Sequence, residues 1–213
     1  MFRPTFEQPT FRVGLETGAR MMVVRLVSIL FIFIFVRTAC AGDVLNVLTS
    51  DMKPLLQSDR GKIQMCGVHF SAALSGSNEL LALQGSANLS FYKGRLPAVA
   101  VKFLVVRGAH GQLIPQRLTH AFLMKGGLST AAFPGLHGED GNSWLAFNQP
   151  PHITPEQMIK FIEAVFDNPF IGFNFGVGRD YTFQLPAPES SKIYEDVMAC
   201  VGAGLDQLIR ENQ

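Results

Sequence analysis

The sequence lacks an apolar stretch long enough to cross a membrane as a helix. Its most apolar run, residues 26–36, has about half of the roughly 20 apolar residues that a spanning helix needs. Arg25 precedes this run and Arg37 follows it. A positive start, a short apolar run and an exit of small residues are typical of a secretory signal peptide. The run therefore predicts export rather than a permanent membrane span.

The exit segment Ala39-Cys40-Ala41 predicts where this leader is cut. Small residues at Ala39 and Ala41 form an A-x-A cleavage signal, so we predict cleavage after Ala41 and a mature chain that begins at Gly42. One alternative is a leader that is never cleaved and stays as an anchor. Another is lipidation of Cys40, which Arg37 disfavours because bacterial lipoproteins carry a Leu-like residue three positions before the modified cysteine.

The segment before the apolar run is unusually long and polar for a leader. Met21 and Met22 stand directly before the run, so translation that starts at either of them would leave residues 1–20 as a mis-annotated start. We predict two parts: residues 1–41 as the signal peptide, and residues 42–213 as a single exported, β-rich domain. A chain of this size is long enough to bury its own core.

The mature chain also lacks an excess of positive charge. The whole sequence has 18 basic and 17 acidic residues, but five arginines and two glutamates lie in residues 1–41. The remaining 13 basic and 15 acidic residues give a formal charge of −2 and form no basic stripe. We therefore expect no nucleic-acid partner, and membrane contact only through the transient signal peptide.

Cysteine is scarce, and its placement favours a structural role. Of three cysteines, only Cys66 and Cys200 lie in the predicted mature chain. Cys66 shares a strand face with Val68 and Phe70, whereas Cys200 lies on the apolar stripe of the last predicted helix. An isolated pair in an oxidising compartment favours a disulfide, here one that pins the helix to the sheet. Two inert core thiols, or a reactive or metal-binding role, are the alternatives.

Apolar alternation and turn signals predict a mainly antiparallel β-structure between residues 62 and 147. A second hairpin is predicted at residues 171–185, around the glycines at 176 and 178. Residues 43–58 show roughly helical apolar spacing that Pro54 interrupts, so we predict a weak helix or an irregular lead-in there. Short turns between consecutive strands favour antiparallel pairing.

Two helices complete the predicted fold. Thr154, Pro155 and Gln157 form the start signal of a helix near residues 155–166, with the pattern of a capping box. A C-terminal helix is predicted near residues 190–210. The fold class is therefore α+β: an antiparallel sheet or sandwich of about 6–8 strands with both helices packed on it.

Motifs that carry chemistry are missing. Cys66 and His69 are three apart on a strand and so face opposite sides, which disfavours a Cys/His nucleophile. Glu139 and Asp140 lie in a Gly-rich turn without the ordered ligand spacing of a calcium loop. The Gly-x-Gly at residues 176–178 stands between two strands, not before a helix. We predict no catalytic, cofactor-binding or metal-binding residue; the histidines weighed were His69, His110, His120, His137 and His152.

Aromatic residues are concentrated in the second predicted hairpin. Alternation places Phe173 and Phe175 toward the core and leaves Phe170 on the opposite face. Phe170 is therefore the candidate for exposure in this hairpin. We expect most of these aromatic residues in the core, with a partner or ligand groove as the alternative for any that face outward.

The order of segments in the second half resembles small exported proteins of the invasion-associated locus B type. The matching segments are MIKFIEAVF, FIGFNFG, RDYTFQLP and a closing helix, with the upstream strand AVAVKFLVV. They cover about half of the predicted mature chain and are patterns of apolar strands rather than motifs. Those proteins carry a Cys-rich framework, whereas this chain offers Cys66 and Cys200. The resemblance implies a periplasmic β-sandwich without known catalytic residues.

Export, a core-facing cysteine pair and the missing motifs together favour a periplasmic or secreted, non-catalytic envelope or interaction protein. One alternative is a carrier that binds an apolar ligand between sheet and helix. A lesser alternative is a small periplasmic hydrolase or thiol enzyme. The expected partner is an unknown protein or an apolar ligand, and no cofactor is expected.

Overall fold

Two β-sheets and two helices make up the part of the chain that the computed structural model describes, which is residues 42–76, 79–91, 97–109, 112–176 and 180–211. The predicted signal peptide, with Ala39 and Ala41, lies outside the described residues. The elements are β1 (Asp43–Val44), β2 (Asn46–Asp59), β3 (Lys62–Ser75), β4 (Leu80–Ser90), β5 (Ala98–Ala109), β6 (Gln112–Gln116), β7 (Leu118–Lys125), β8 (Leu128–Ser129), β9 (Gly135–His137), β10 (Trp144–Asn148), α1 (Pro155–Val165), β11 (Phe170–Phe175), β12 (Asp180–Gln184) and α2 (Ser191–Glu211).

The larger sheet has seven strands in the order β2-β3-β4-β5-β10-β9, with β6 paired to β5. The smaller sheet has five strands in the order β1-β12-β11-β7-β8. All strand pairs are antiparallel except β1 with β12. The predicted α+β class with antiparallel sheets is therefore confirmed. The described residues hold twelve strands rather than about six to eight, because β1, β8 and β9 are too short to show alternation and the segment of β2 was not predicted as a strand.

One hydrophobic core joins both sheets and both helices. On β3 the buried residues are Cys66, Val68, Phe70, Ala72 and Leu74, which is the alternation that the sequence predicts. The rest of the core comes chiefly from the inner faces of β4, β5, β7, β11 and β12 and from the apolar stripes of the two helices. Each sheet therefore turns one face toward this core and one face away from it.

The predicted helix or irregular lead-in at residues 43–58 is wrong. This segment forms β1 and most of β2, and β2 pairs with β3 along nearly its whole length. β2 is an edge strand, so Pro54 can lie within it without breaking a central ladder. Arg60 and Gly61, both with positive φ, make the tight turn between β2 and β3.

The helix start predicted at Thr154 is confirmed in detail. The Thr154 hydroxyl accepts a hydrogen bond from the backbone N–H of Gln157 at 3.2 Å. The Gln157 side chain accepts one from the backbone N–H of Thr154 at 2.8 Å. These two bonds complete the capping box. α1 then buries Met158, Phe161 and Ile162 in the core.

The C-terminal helix α2 packs closely against β3 and its surroundings. The Gln207 side-chain amide exchanges two hydrogen bonds with the backbone of Ile63, at 2.9 and 3.3 Å. A Cβ placed on Gly204 would lie 2.8 Å from the ring of Phe91, so the helix backbone lies directly on that ring. Val197 and Val201 are buried on the same face of the helix.

Candidate functional site

Cys66 and Cys200 form a disulfide between β3 and α2, as the sequence predicted. Their Cα atoms are 5.7 Å apart, and 134 positions of sequence separate them. Cys66 is fully buried, whereas Cys200 is half-buried. The bond therefore ties the C-terminal helix to β3, the strand next to the edge of the larger sheet.

The disulfide removes the nucleophile that a Cys66 thiol enzyme would need. The Cys66 sulfur is already bonded to Cys200. His69 is exposed on the opposite face of β3, as expected for residues three apart on a strand. These two side chains cannot form a Cys/His pair in this structure.

The face of the larger sheet that is turned away from the core carries a straight row of aligned residues. Neighbouring strands place Lys53 opposite His69, His69 opposite Ser86, and Ser86 opposite Lys102. The row continues through Leu145 on β10 and Leu136 on β9. Residues that pair directly across antiparallel strands point to the same face, so these six side chains cross the sheet from edge to edge.

Three surface depressions follow this row and adjoin one another through shared residues. Their volumes are about 240, 170 and 530 Å³. The first two share His69, Gln84 and Gly85, and the second and third share Lys102. We call the combined feature the cross-strand groove. It is lined by Asp51, Lys53, His69, Phe70, Ser71, Gln84, Gly85, Ser86, Lys102, Leu104, Leu136, His137, Gly138, Glu139, Asp140 and Leu145.

An ion pair lies toward each end of the cross-strand groove. Lys53 Nζ is 2.9 Å from Asp51 Oδ2, and Lys102 Nζ is 3.9 Å from Asp140 Oδ2. The four side chains are largely exposed, so the pairs contribute little to folding stability. Because each lysine has a carboxylate beside it, the groove has no strong net charge.

Asp140 is fixed by its own turn. Its Oδ1 accepts hydrogen bonds from the backbone N–H of Ser143 at 2.6 Å and of Asn142 at 2.8 Å, and its Oδ2 accepts one from the Ser143 hydroxyl at 2.8 Å. The bonds from Ser143 are the main reason why the pKa of Asp140 falls to about 2, with smaller contributions from Asn142 and Lys102. Asp140 therefore stays anionic at any ordinary pH. Glu139 and Asp140 are both exposed in this turn.

The centre of the groove holds polar groups that have no partner within the described residues. His69 and Gln84 are exposed, and Ser86 lies deeper between them and Lys102, with 9% of its surface accessible. None of the hydrogen bonds or ion pairs among the described residues involves the side chains of His69, Gln84 or Ser86. These three groups can therefore bond directly to a ligand.

The described part of the chain does not bring together three His, Cys, Asp or Glu side chains in an arrangement that could hold a metal ion. Neither α1 nor α2, the helices of the described segments, is long and apolar enough to cross a membrane.

A second polar cluster lies around Trp144. The rings of His120 and His137 both lie 5.6 Å from the Trp144 ring, and Phe122 packs against His120 at 5.7 Å. Two buried ring nitrogens, Trp144 Nε1 and His137 Nδ1, have no hydrogen-bond partner among the described atoms. The Trp144 ring lies over Gly135, where a Cβ would come within 2.2 Å of it. The cluster therefore forms where the Trp144 ring packs across a glycine of the neighbouring strand.

The other residues singled out in the sequence are spread over the molecule. Gly42, the predicted first mature residue, begins the described chain beside the backbone of Asp180. Phe170 is exposed, with 46% of its surface accessible, as its place in the alternation predicted. His152 is exposed in the turn before α1. His110 and the loop glycine at 178 lie outside the described residues.

Comparisons with known proteins give no relative: no protein-family model, no curated protein and no solved structure matches this chain. The resemblance to the invasion-associated locus B type is therefore still an expectation from the sequence alone.

The sequence did not reveal the cross-strand groove. The sequence offers His69 as a partner for Cys66 and as one of five histidines, but it does not single out Lys53 or Lys102. The available signal was the alternation along β3, β4 and β5, which places every second residue of each strand, including the groove residues, on the outer face of the sheet. The strand register that aligns them was not accessible from local patterns.

Proposed function

We propose that this protein is an exported, non-catalytic interaction protein of the periplasm or cell envelope. In this proposal residues 1–41 are removed after Ala41, and the domain that begins at Gly42 binds its partner through the cross-strand groove.

The observation that carries the proposal is the disulfide between Cys66 and Cys200. Disulfides persist in oxidising compartments and are rare where thiols are kept reduced. A disulfide that ties α2 to the larger sheet is therefore consistent with a protein that folds after export. The apolar leader and the resemblance to exported proteins of the invasion-associated locus B type support the same compartment.

The causes of the pKa shifts in this domain support binding rather than catalysis in the groove. Catalytic groups are commonly found in clefts with strongly shifted pKa values. The clear pKa shifts among the described groups belong to Asp140, Glu156 and Lys160, and each follows from local hydrogen bonds or an ion pair. Glu156 and Lys160 form a surface pair on α1 that faces no depression of the groove.

The test is to express the full chain in a Gram-negative host, recover the periplasmic fraction, and measure intact mass and thiol labelling before and after reduction. We expect a mass that begins at Gly42, and labelling of Cys66 and Cys200 only after reduction. A retained leader with Cys66 freely labelled in the native protein would contradict the proposal. A variant with Ala39 and Ala41 both replaced by Asp is the control, because it should block cleavage without touching the folded domain.

A carrier function is the second candidate, because one cleft lies between the sheet and the start of α2. Its volume is about 370 Å³, within the range of small-molecule sites. Its lining mixes apolar and polar residues: Ser50, Asp51, Met52, Leu185, Pro186, Ala187, Pro188, Glu189, Ser190 and Ile193. Further along α2, the contact of Gly204 with Phe91 leaves no room for a ligand. Organic extraction of the exported protein followed by mass spectrometry tests this function, and a bound amphiphile in stoichiometric amount is the expected sign of it.

A further inference from the structure

The chemistry of the cross-strand groove narrows the class of ligand. We infer that the groove binds a neutral, linear oligosaccharide whose chain runs across the strands. This inference rests on the proposed function and adds the identity of the ligand class to it.

The first argument is the kind of hydrogen-bonding group at the centre of the groove. The amide of Gln84 and the hydroxyl of Ser86 each supply both a donor and an acceptor, and His69 beside them adds two ring nitrogens. A sugar hydroxyl also both donates and accepts, so it can satisfy each of these groups. A phosphate or ionised carboxylate only accepts, and an ammonium group only donates, so either would leave half of this capacity unused.

The second argument is charge. Lys53 is paired with Asp51, and Lys102 lies beside Asp140, whose low pKa keeps it ionised. With Glu139, the groove lining holds two lysines and three carboxylates, so neither a polyanion nor a polycation meets a surface of strongly opposite charge. At each end of the groove, the lysine ammonium can donate a hydrogen bond to a neutral ligand and the carboxylate can accept one from it. Neither ion pair has to be broken for this.

The third argument is the apolar contribution to the lining. Leu104, Leu136 and Leu145 line the half of the groove that is formed by β5, β10 and β9. Leu136 is exposed, with 47% of its surface accessible, although it is a large apolar side chain. Sugar rings present C–H groups on their faces and hydroxyls at their edges, so they fit a surface that combines leucines with polar groups.

The fourth argument is shape. The row from Lys53 to Leu136 crosses six strands, and at about 4.8 Å between neighbouring strands it spans about 24 Å. Its depressions are open to solvent along their length and are connected end to end. An extended chain of several sugars fits such a groove better than a compact small molecule, which usually binds in an enclosed pocket.

The test uses the exported protein, purified from the periplasm with its disulfide intact and labelled with ¹⁵N. Chitopentaose and cellopentaose are the neutral probes, and pentaglutamate and pentalysine are the charged comparators. We expect at least one neutral probe to shift the amide signals of His69, Gln84, Ser86 and Lys102, and neither peptide to do so.

Two variants locate the binding site, and one controls for general effects. Gln84→Ala and His69→Ala each remove an exposed side chain from the groove and should weaken binding about two- to tenfold, the range for one net hydrogen bond. Gln112→Ala removes an exposed glutamine from the start of β6, outside the groove, and should leave affinity unchanged.

The inference is overturned if neither oligosaccharide shifts the groove amides at millimolar concentration, or if only a charged peptide does. It is also overturned if an oligosaccharide binds with equal affinity to the Gln84→Ala, His69→Ala and Gln112→Ala variants, because the site then lies elsewhere. Either result would leave the proposed export standing, since that part of the proposed function is tested by the mass and thiol measurements. Retention in the cytoplasm with free thiols would instead remove the proposed function itself.

Discussion

Reduction of the disulfide between Cys66 and Cys200 should lower the free energy of unfolding substantially, while the other contacts of the hydrophobic core remain. The bond closes a loop with a sequence separation of 134, so its reduction releases a long constraint on the unfolded chain. The chain-entropy relation for a loop of this length gives about 5 kcal/mol at 25 °C. Measured values for native disulfides fall at about 2–5 kcal/mol, so this figure is the upper end of the expected change.

That loss is large compared with the total stability of a natural domain, which is about 5–15 kcal/mol. After reduction α2 is held by its buried Val197, Val201 and Leu208 and by the bonds of Gln207 to Ile63. These contacts persist in the folded state, because reduction acts mainly on the unfolded ensemble. We therefore expect a protein that still folds, but with a much smaller margin.

Urea denaturation followed by circular dichroism measures the effect. With a urea dependence of about 2 kcal/mol per molar, a loss of about 5 kcal/mol lowers the midpoint by about 2.5 M. The oxidised protein and the protein kept in a reducing phosphine should be compared at the same pH. The control is Cys200→Ala beside Cys66→Ala/Cys200→Ala: both lack the cross-link, so any difference between them reports the packing of the buried Cys66 sulfur.

Equal midpoints for the oxidised and reduced proteins would refute this reasoning. Such a result would mean that the unfolded chain is already constrained without the bond. A large drop for both alanine variants, with none on reduction, would instead assign the stability to packing around the sulfurs.

Three further outcomes follow from local geometry. Thr154→Ala removes the helix cap that bonds Gln157 and should lower unfolding free energy by about 1 kcal/mol in urea titrations; an unchanged midpoint contradicts this. Gly85→Ala places a methyl group 2.2 Å from the ring of Phe70 and should cost about 1–3 kcal/mol in the same assay, so a neutral result is unexpected. The folded-state pKa of Asp140, about 2, lies below its usual value, so the contribution of Asp140 to folding stability is complete above about pH 4 and is lost as the pH falls toward 2. Asp140→Ala should flatten that part of the stability curve in thermal melts from pH 6 to 2. A curve parallel to that of the unmodified protein would contradict this assignment.

Local signals in the sequence were sufficient where the structure depends on neighbours along the chain. Thr154, Pro155 and Gln157 fixed the start of α1, because a capping box is made within one turn of helix. Alternation along β3 placed Cys66 on the inner face, and the apolar stripe of α2 brought Cys200 to meet it. The disulfide was predictable because both partners lie on the buried side of a regular element.

Local signals failed for β2. Most residues of this strand are exposed on both faces, so the usual contrast between apolar and polar positions is missing. Pro54 also argued against a strand, although an edge position tolerates it. What makes β2 a strand is its long pairing with β3, a contact that follows from the tight turn at Arg60 and Gly61.

The two faces of β3 separate the disulfide from the groove that we propose as the binding surface. Cys66 points inward to the disulfide, whereas His69, three residues later, points outward at the centre of the groove. The groove residues are aligned by the pairing of β3 with β2 and β4, and of β4 with β5, not by α2. Because sheet pairing alone sets the spacing of Lys53, His69 and Lys102, the groove keeps its geometry for as long as the sheet is folded. The disulfide then contributes to the free energy of unfolding, whereas the outer side chains of the sheet form the groove that we propose to bind a ligand.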